Sequence, residues 1–186
     1  MKKVLLPALL FLLAASAWSN AVAGESVSRD FLKADRLYAA GKYSDALLLF
    51  QGLLSKQSEP VQTGDVYSRI GDCYFSTNDY PNALQAYRSA LRGQKLSARP
   101  ATQYWIGFCS FLLGRDREAA AEFLKIPELY PDSGMWVATA YYWAGRASER
   151  MGLKEQAAEY YRKAGGKGKS TQESFAMKKA EAVKAK

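Results

Sequence analysis

The chain has 186 residues and a formal net charge of +8, from 26 lysines and arginines against 18 aspartates and glutamates, and it contains no histidine. Without histidine it lacks the commonest general base, the Ser–His and Cys–His nucleophile pairs and most zinc sites. Its two cysteines, Cys73 and Cys109, form neither a Cys-x-x-Cys pair nor a metal cage, and no Gly-rich phosphate loop follows a strand, so the expectation is a non-enzymatic protein that needs no metal and no other cofactor.

Residues 1–23 read as a secretory signal peptide. Lys2 and Lys3 form a charged start, Val4 to Ala15 is an apolar run of 12 residues, and Ala21-Val22-Ala23 offers a small–x–small cleavage site before Gly24. The run is too short to span a bilayer comfortably. No cysteine stands near the cleavage site, as a bacterial lipoprotein would require, so a soluble protein exported to the periplasm is expected. Export makes nucleic acid an unsuitable partner. The 163 residues left suit one domain, and their charge falls to +6. The stretch from Gly165 to Lys186 holds six lysines and two glutamates and so supplies most of it. Such a tail suits weak contact with a membrane surface or an acidic cell-wall polymer, or serves only to keep a last helix solvated.

Helix-like stretches then alternate with turns. Phe31, Ala34 and Tyr38 make an i, i+3, i+7 stripe, Gly41-Lys42-Tyr43 turns the chain, and a second helix runs from Ala46 to Leu54. Tyr67, Ile70, Gly71 and Tyr74 share the face of the next helix, which turns at Asn78-Asp79-Tyr80-Pro81, with Pro81 suited to a first helical turn. Ile106-Gly107 and Ala144-Gly145 fill the Ile70-Gly71 slot twice more. The turn residues Gly41, Asn78, Gly114 and Gly152 are 37, 36 and 38 positions apart. Each is followed five residues later by an alanine (Ala46, Ala83, Ala119, Ala157) and four further on by an aromatic (Phe50, Tyr87, Phe123, Tyr161). The small residues are expected to face each other where paired helices approach, with the aromatics filling the space towards the next pair. Ser170 or Thr171 caps a further helix over about 172–183, and Phe175, Met177, Ala180 and Val183 give it a weak apolar stripe; the alternative is a disordered basic tail.

A period near 34 with a small–x3–aromatic step resembles the tetratricopeptide repeat, or TPR. The resemblance covers about Val27 to Ala164. It implies an all-α, right-handed TPR solenoid of four helix pairs, over about 27–60, 64–97, 100–133 and 138–166, with 165–186 as linker and basic capping helix. Leu129-Tyr130-Pro131-Asp132-Ser133 and Ala140-Tyr141-Tyr142-Trp143-Ala144-Gly145-Arg146 are similar to the seam of bacterial envelope TPR proteins, such as the Tol-Pal-associated coordinator and the outer-membrane assembly lipoprotein. In the repeat frame Cys73 and Cys109 take equivalent positions on neighbouring first helices. Helices pack roughly 8–10 Å apart and a disulfide wants Cα atoms within about 7 Å, which favours two buried thiols over a bridge.

In TPR proteins the first helices line a concave groove. Carried onto this chain, the groove positions are Phe31, Asp35 and Tyr38 in the first repeat, Asp72 and Phe75 in the second, Tyr104, Phe108 and Phe111 in the third, and Tyr142, Arg146 and Arg150 in the fourth. An aromatic centre with carboxylates on one side and arginines on the other suits a protein or peptide segment with apolar anchors. About half of those aromatics are expected to be core. The implied function is an exported adaptor that helps assemble or coordinate a cell-envelope machine. The alternative is a peptidoglycan-binding module assisting a glycan-cleaving enzyme; a third reading is self-association through Trp105, Trp136 or Trp143.

Overall fold

The computed structural model describes residues 29–55, 60–166 and 171–184; the expected signal peptide lies outside them. Among the described residues all regular structure is helical, as the repeat pattern requires. Helix α1 covers 29–39, followed by α2 (Tyr43–Leu54), α3 (Pro60–Ser76), α4 (Tyr80–Gly93), a short 3-10 turn (Leu96–Ala98), α5 (Arg99–Leu112), α6 (Asp116–Leu129), α7 (Gly134–Arg150), α8 (Lys154–Gly165) and α9 (Thr171–Lys184). The chain divides into two compact units, Met1–Gln57 and Ser58–Lys186.

The first unit holds the α1–α2 hairpin. Ala34, Ala46 and Phe50 are fully buried, and Phe31 meets Phe50 edge-on with centroids 5.4 Å apart. In the second unit each helix from α3 to α9 packs on the next in sequence, and α5 also touches α7. This is the consecutive stacking expected of helical repeats, each covering the apolar side of its neighbour.

All four turns use one backbone device. Gly41, Asn78, Gly114 and Gly152 have φ of 74°, 62°, 73° and 74°. Each donates its N–H three residues back, and the next residue donates five back, as in Gly114 to Phe111 O (3.1 Å) and Arg115 to Ser110 O (2.9 Å). This pairing ties off the last carbonyls of a helix and needs a left-handed residue, which glycine adopts at little cost and asparagine tolerates. The Tyr80 hydroxyl donates to Asn78 Oδ1 at 2.7 Å, and the Asp79 side chain accepts from the Asn82 N–H, capping α4.

Within each hairpin of the second unit the contact differs from the expected meeting of small residues. A Cβ on Gly71 would fall 2.6 Å from the Tyr87 ring, one on Gly107 2.8 Å from Phe123, and one on Gly145 2.8 Å from Tyr161. The glycines therefore receive the aromatic ring of their own hairpin, because a ring packed against bare backbone fills more space than an alanine methyl. The far side of two of these rings does meet the next pair: Tyr87 stacks on Trp105 and Phe123 on Trp143, at 6.3 and 6.4 Å.

Polar groups also cross between helices. The buried Gln103 amide donates to Glu122 Oε2 at 2.7 Å and to the Glu122 carbonyl at 3.0 Å, and Lys125 holds the same carboxylate at 2.7 Å. Arg88 on α4 reaches Glu118 on α6 at 2.7 Å. Cys73 and Cys109 are both buried, as thiols.

Candidate peptide-binding face

In the second unit a strip of half-buried aromatic side chains crosses the first helices of successive hairpins. Phe75 on α3 stacks on Phe108 of α5 at 6.0 Å, and Phe108 meets Trp143 of α7 edge-on at 4.7 Å. Trp143 lies 5.7 Å from Tyr142, which meets Phe175 of α9 at 6.1 Å. Tyr104 joins the strip from beside Phe108, stacked at 5.6 Å, and contacts Trp136 at 5.6 Å. Such edge, tilted and offset contacts hold the rings against one another. Burial pushes the Tyr104 hydroxyl up to about 12, against the hydrogen bond it receives from the Trp143 indole.

The residues expected in the groove divide into three groups. Phe75, Tyr104, Phe108 and Tyr142 stand in this strip with part of each ring exposed. Arg146 borders it: its guanidinium lies 5.7 Å from the Trp143 ring centroid, and its hydrogen bond to the Tyr142 hydroxyl holds its pKa above the ordinary arginine value. Phe31, Asp35 and Tyr38 belong to the first unit, where Tyr38 packs against Tyr43 at 5.4 Å.

Three of the expected groove residues are engaged in packing within and between the helix pairs. Asp72 is engaged inside its own hairpin, accepting the Tyr87 hydroxyl at 2.8 Å and Arg69 at 3.2 Å, because the ring laid on Gly71 brings that hydroxyl to it. Phe111 is buried, 7% exposed. Arg150 lies over Phe111, 4.3 Å from its centroid, donates to the Phe111 carbonyl at 3.1 Å and lies 3.2 Å from Asp116 Oδ1. It packs over the α5–α6 turn.

Trp105, Trp136 and Trp143 were not among the groove positions, yet all three border the strip. Their signal was available: Trp105 and Trp143 each stand two residues before a helix glycine, in the slot that covers the ring of the preceding hairpin. Phe175, 53% exposed on α9, was assigned to a capping stripe and instead extends the strip.

Tetratricopeptide-repeat family models match residues 31–98, 101–133 and 138–164. The chain belongs to the tetratricopeptide-repeat proteins. Among solved structures, apo RapI superposes with a TM-score of 0.74 at 14% identity, covering 84% of this chain and 47% of RapI, so the chain spans about half of that protein. MamA from Desulfovibrio magneticus gives 0.62 at 15% identity, covering 86% of this chain and 95% of that one. YrrB, described as a TPR protein with an unusual peptide-binding site, gives 0.56 at 17% identity, covering 84% and 85%. At these identities the likeness is one of fold. No curated protein matches the chain by sequence.

Proposed function

We propose that the protein is an exported, non-enzymatic adaptor that holds a protein or peptide segment on the aromatic strip of its second unit, in the assembly or coordination of a cell-envelope machine. The strip itself carries this reading. Four helices in succession, α3, α5, α7 and α9, contribute half-buried rings that touch in series from Phe75 to Phe175. Part-exposed aromatics are the residues that anchor partner side chains at interfaces, since they offer large apolar area with little entropy to lose. The structural likeness to YrrB, a peptide binder by its description, supports the same reading. The envelope setting rests on the N-terminal sequence and on the Tyr130-Pro131-Asp132-Ser133 seam.

Affinity capture from envelope extracts tests the binding role. Wild-type protein should retain a partner that Phe108→Ala and Tyr104→Ala lose while circular dichroism shows both variants folded. Equal capture by both folded variants would reject the strip as the site. Recovery from a periplasmic fraction of a chain beginning at Gly24 tests export, and an intact N-terminus in the cytoplasm would overturn it.

A further inference from the structure

Helix α9 stands against α8 and α7 as α7 stands against α6 and α5, in the place of the first helix of another pair. Its contacts are of a different kind. At the two interior joints the ring of the preceding second helix is covered by tryptophan: Trp105 on Tyr87 and Trp143 on Phe123. At the last joint the corresponding ring, Tyr161, clusters with Ala180 and Val183 of α9 and has the Lys179 ammonium, in place of an indole, 5.9 Å from its centroid. The same ammonium lies 3.1 and 3.3 Å from the two oxygens of Glu149, which also accepts the Tyr161 hydroxyl at 2.7 Å. The Lys179 and Glu149 side chains are 30% and 31% exposed, so ions reach the pair.

Among the described side chains the apolar side of the joint uses smaller groups. Helix α9 buries Ala176, Ala180 and Val183 and sets the half-exposed Phe175 against Tyr142, whereas α7 buries Ala140, Ala144 and Ala147 and packs Trp136, Val137 and Trp143 beside them. Apolar contact scales with the area removed from water, and a screened ion pair weakens as salt rises.

We infer that α9 is a detachable cap: it opens from α8 as a unit while α3 to α8 stay folded, and the Lys179–Glu149–Tyr161 clamp sets how often. Opening carries Phe175 away from the strip and uncovers Tyr161 and the outer side of Tyr142 in its place. This holds whatever the strip binds, and even if it binds nothing.

Amide hydrogen exchange on the full chain, at low and at high sodium chloride, tests it. The α9 amides should exchange roughly tenfold or more faster than those of α5 and α7, through an opening that salt accelerates. Glu149→Gln should speed α9 exchange by about tenfold, the loss of a charge-assisted bond, and leave α5 unchanged. Lys179→Trp, which supplies the side chain used at the interior joints, should slow it and abolish the salt response. Exchange of α9 in step with α5 and α7 in the wild type, or an α9 indifferent to both salt and Glu149→Gln, would overturn the inference.

Discussion

The Phe123 ring lies on the bare backbone of Gly107, so near that a Cβ there would come within 2.8 Å of it. Gly107→Ala must therefore push the ring towards Trp143, on its other side. A loss of about 1–3 kcal/mol, the usual cost of overpacking, should appear as a lowered denaturant midpoint. Gly134→Ala is the control: nothing lies within 4 Å of a Cβ there, and the change should be neutral or stabilising by up to about 1 kcal/mol.

Gly64 presents a stricter case. Its Cβ would fall 2.3 Å from the Gly93 carbonyl carbon, where the start of α3 crosses the end of α4. Backbone cannot swing aside as a ring can. Gly64→Ala should cost more than Gly107→Ala, on the order of 3 kcal/mol or above, measured in the same denaturation series. An equal or smaller loss would mean that the two helix ends separate easily.

Arg150 should behave as a structural residue. Arg150→Ala removes the stacking on Phe111, the bond to its carbonyl and the pairing with Asp116, and about 1–2 kcal/mol of stability should go with them. Arg150→Lys should recover little, since an ammonium cannot stack and donate in plane together. Arg146→Ala should leave stability nearly untouched, and thermal melts separate the two.

The clamp on Glu149 gives the cap a pH dependence. Burial raises the pKa of this carboxyl, but the Tyr161 hydroxyl, the Lys179 ammonium and Arg146 outweigh it and hold the group below its ordinary 4.5. A carboxyl depressed in the folded state stabilises above its unfolded pKa, and that contribution is lost as pH falls through the folded value. The α9 amide exchange rates of wild type and Glu149→Gln, compared at the same pH, should therefore differ at pH 7 and converge as the pH drops below 4.5. A constant gap across that range would show that Glu149 contributes through packing alone.

Two groups should ionise only at high pH. Burial pushes the Cys109 thiol up to about 12, so a disulfide-exchange reagent at pH 8 should leave Cys109 unlabelled until denaturant is added. Tyr104 has a similarly raised pKa of about 12. In an alkaline absorbance titration, Tyr104→Phe should reduce the signal that appears near pH 12.

The turns were legible because each is a local event. A left-handed residue, two backbone bonds and the small residue that follows all lie within about two helical turns of chain, and glycine or asparagine at those positions announces them. The aromatic positions were legible for the same reason, as points on a repeating stripe. Where each ring would lie was not. The small–x3–aromatic spacing is satisfied equally by a ring aimed at the next pair and by one resting on its own glycine. Only the closeness of α3 to α4, of α5 to α6 and of α7 to α8 decides between them.

The candidate site shows the same division. Phe75, Tyr104, Phe108 and Tyr142 could be placed by position within the repeat, since repeated helices present repeated faces. The structural partners of Asp72 and Arg150 were not legible because they are remote in sequence: Tyr87 stands 15 residues from Asp72 and Phe111 stands 39 residues from Arg150. The sequence by itself determined that this chain is a series of helix pairs with left-handed turns and a repeated aromatic register, because helices and turns are settled by residues a few positions apart. Tertiary structure alone decided which polar side chains are consumed in holding the pairs together, that a lysine stands by the ring at the last joint where tryptophan stands at the others, and which rings remain open. Those outcomes depend on groups meeting in space, and a side chain bonds to whatever folding brings within reach.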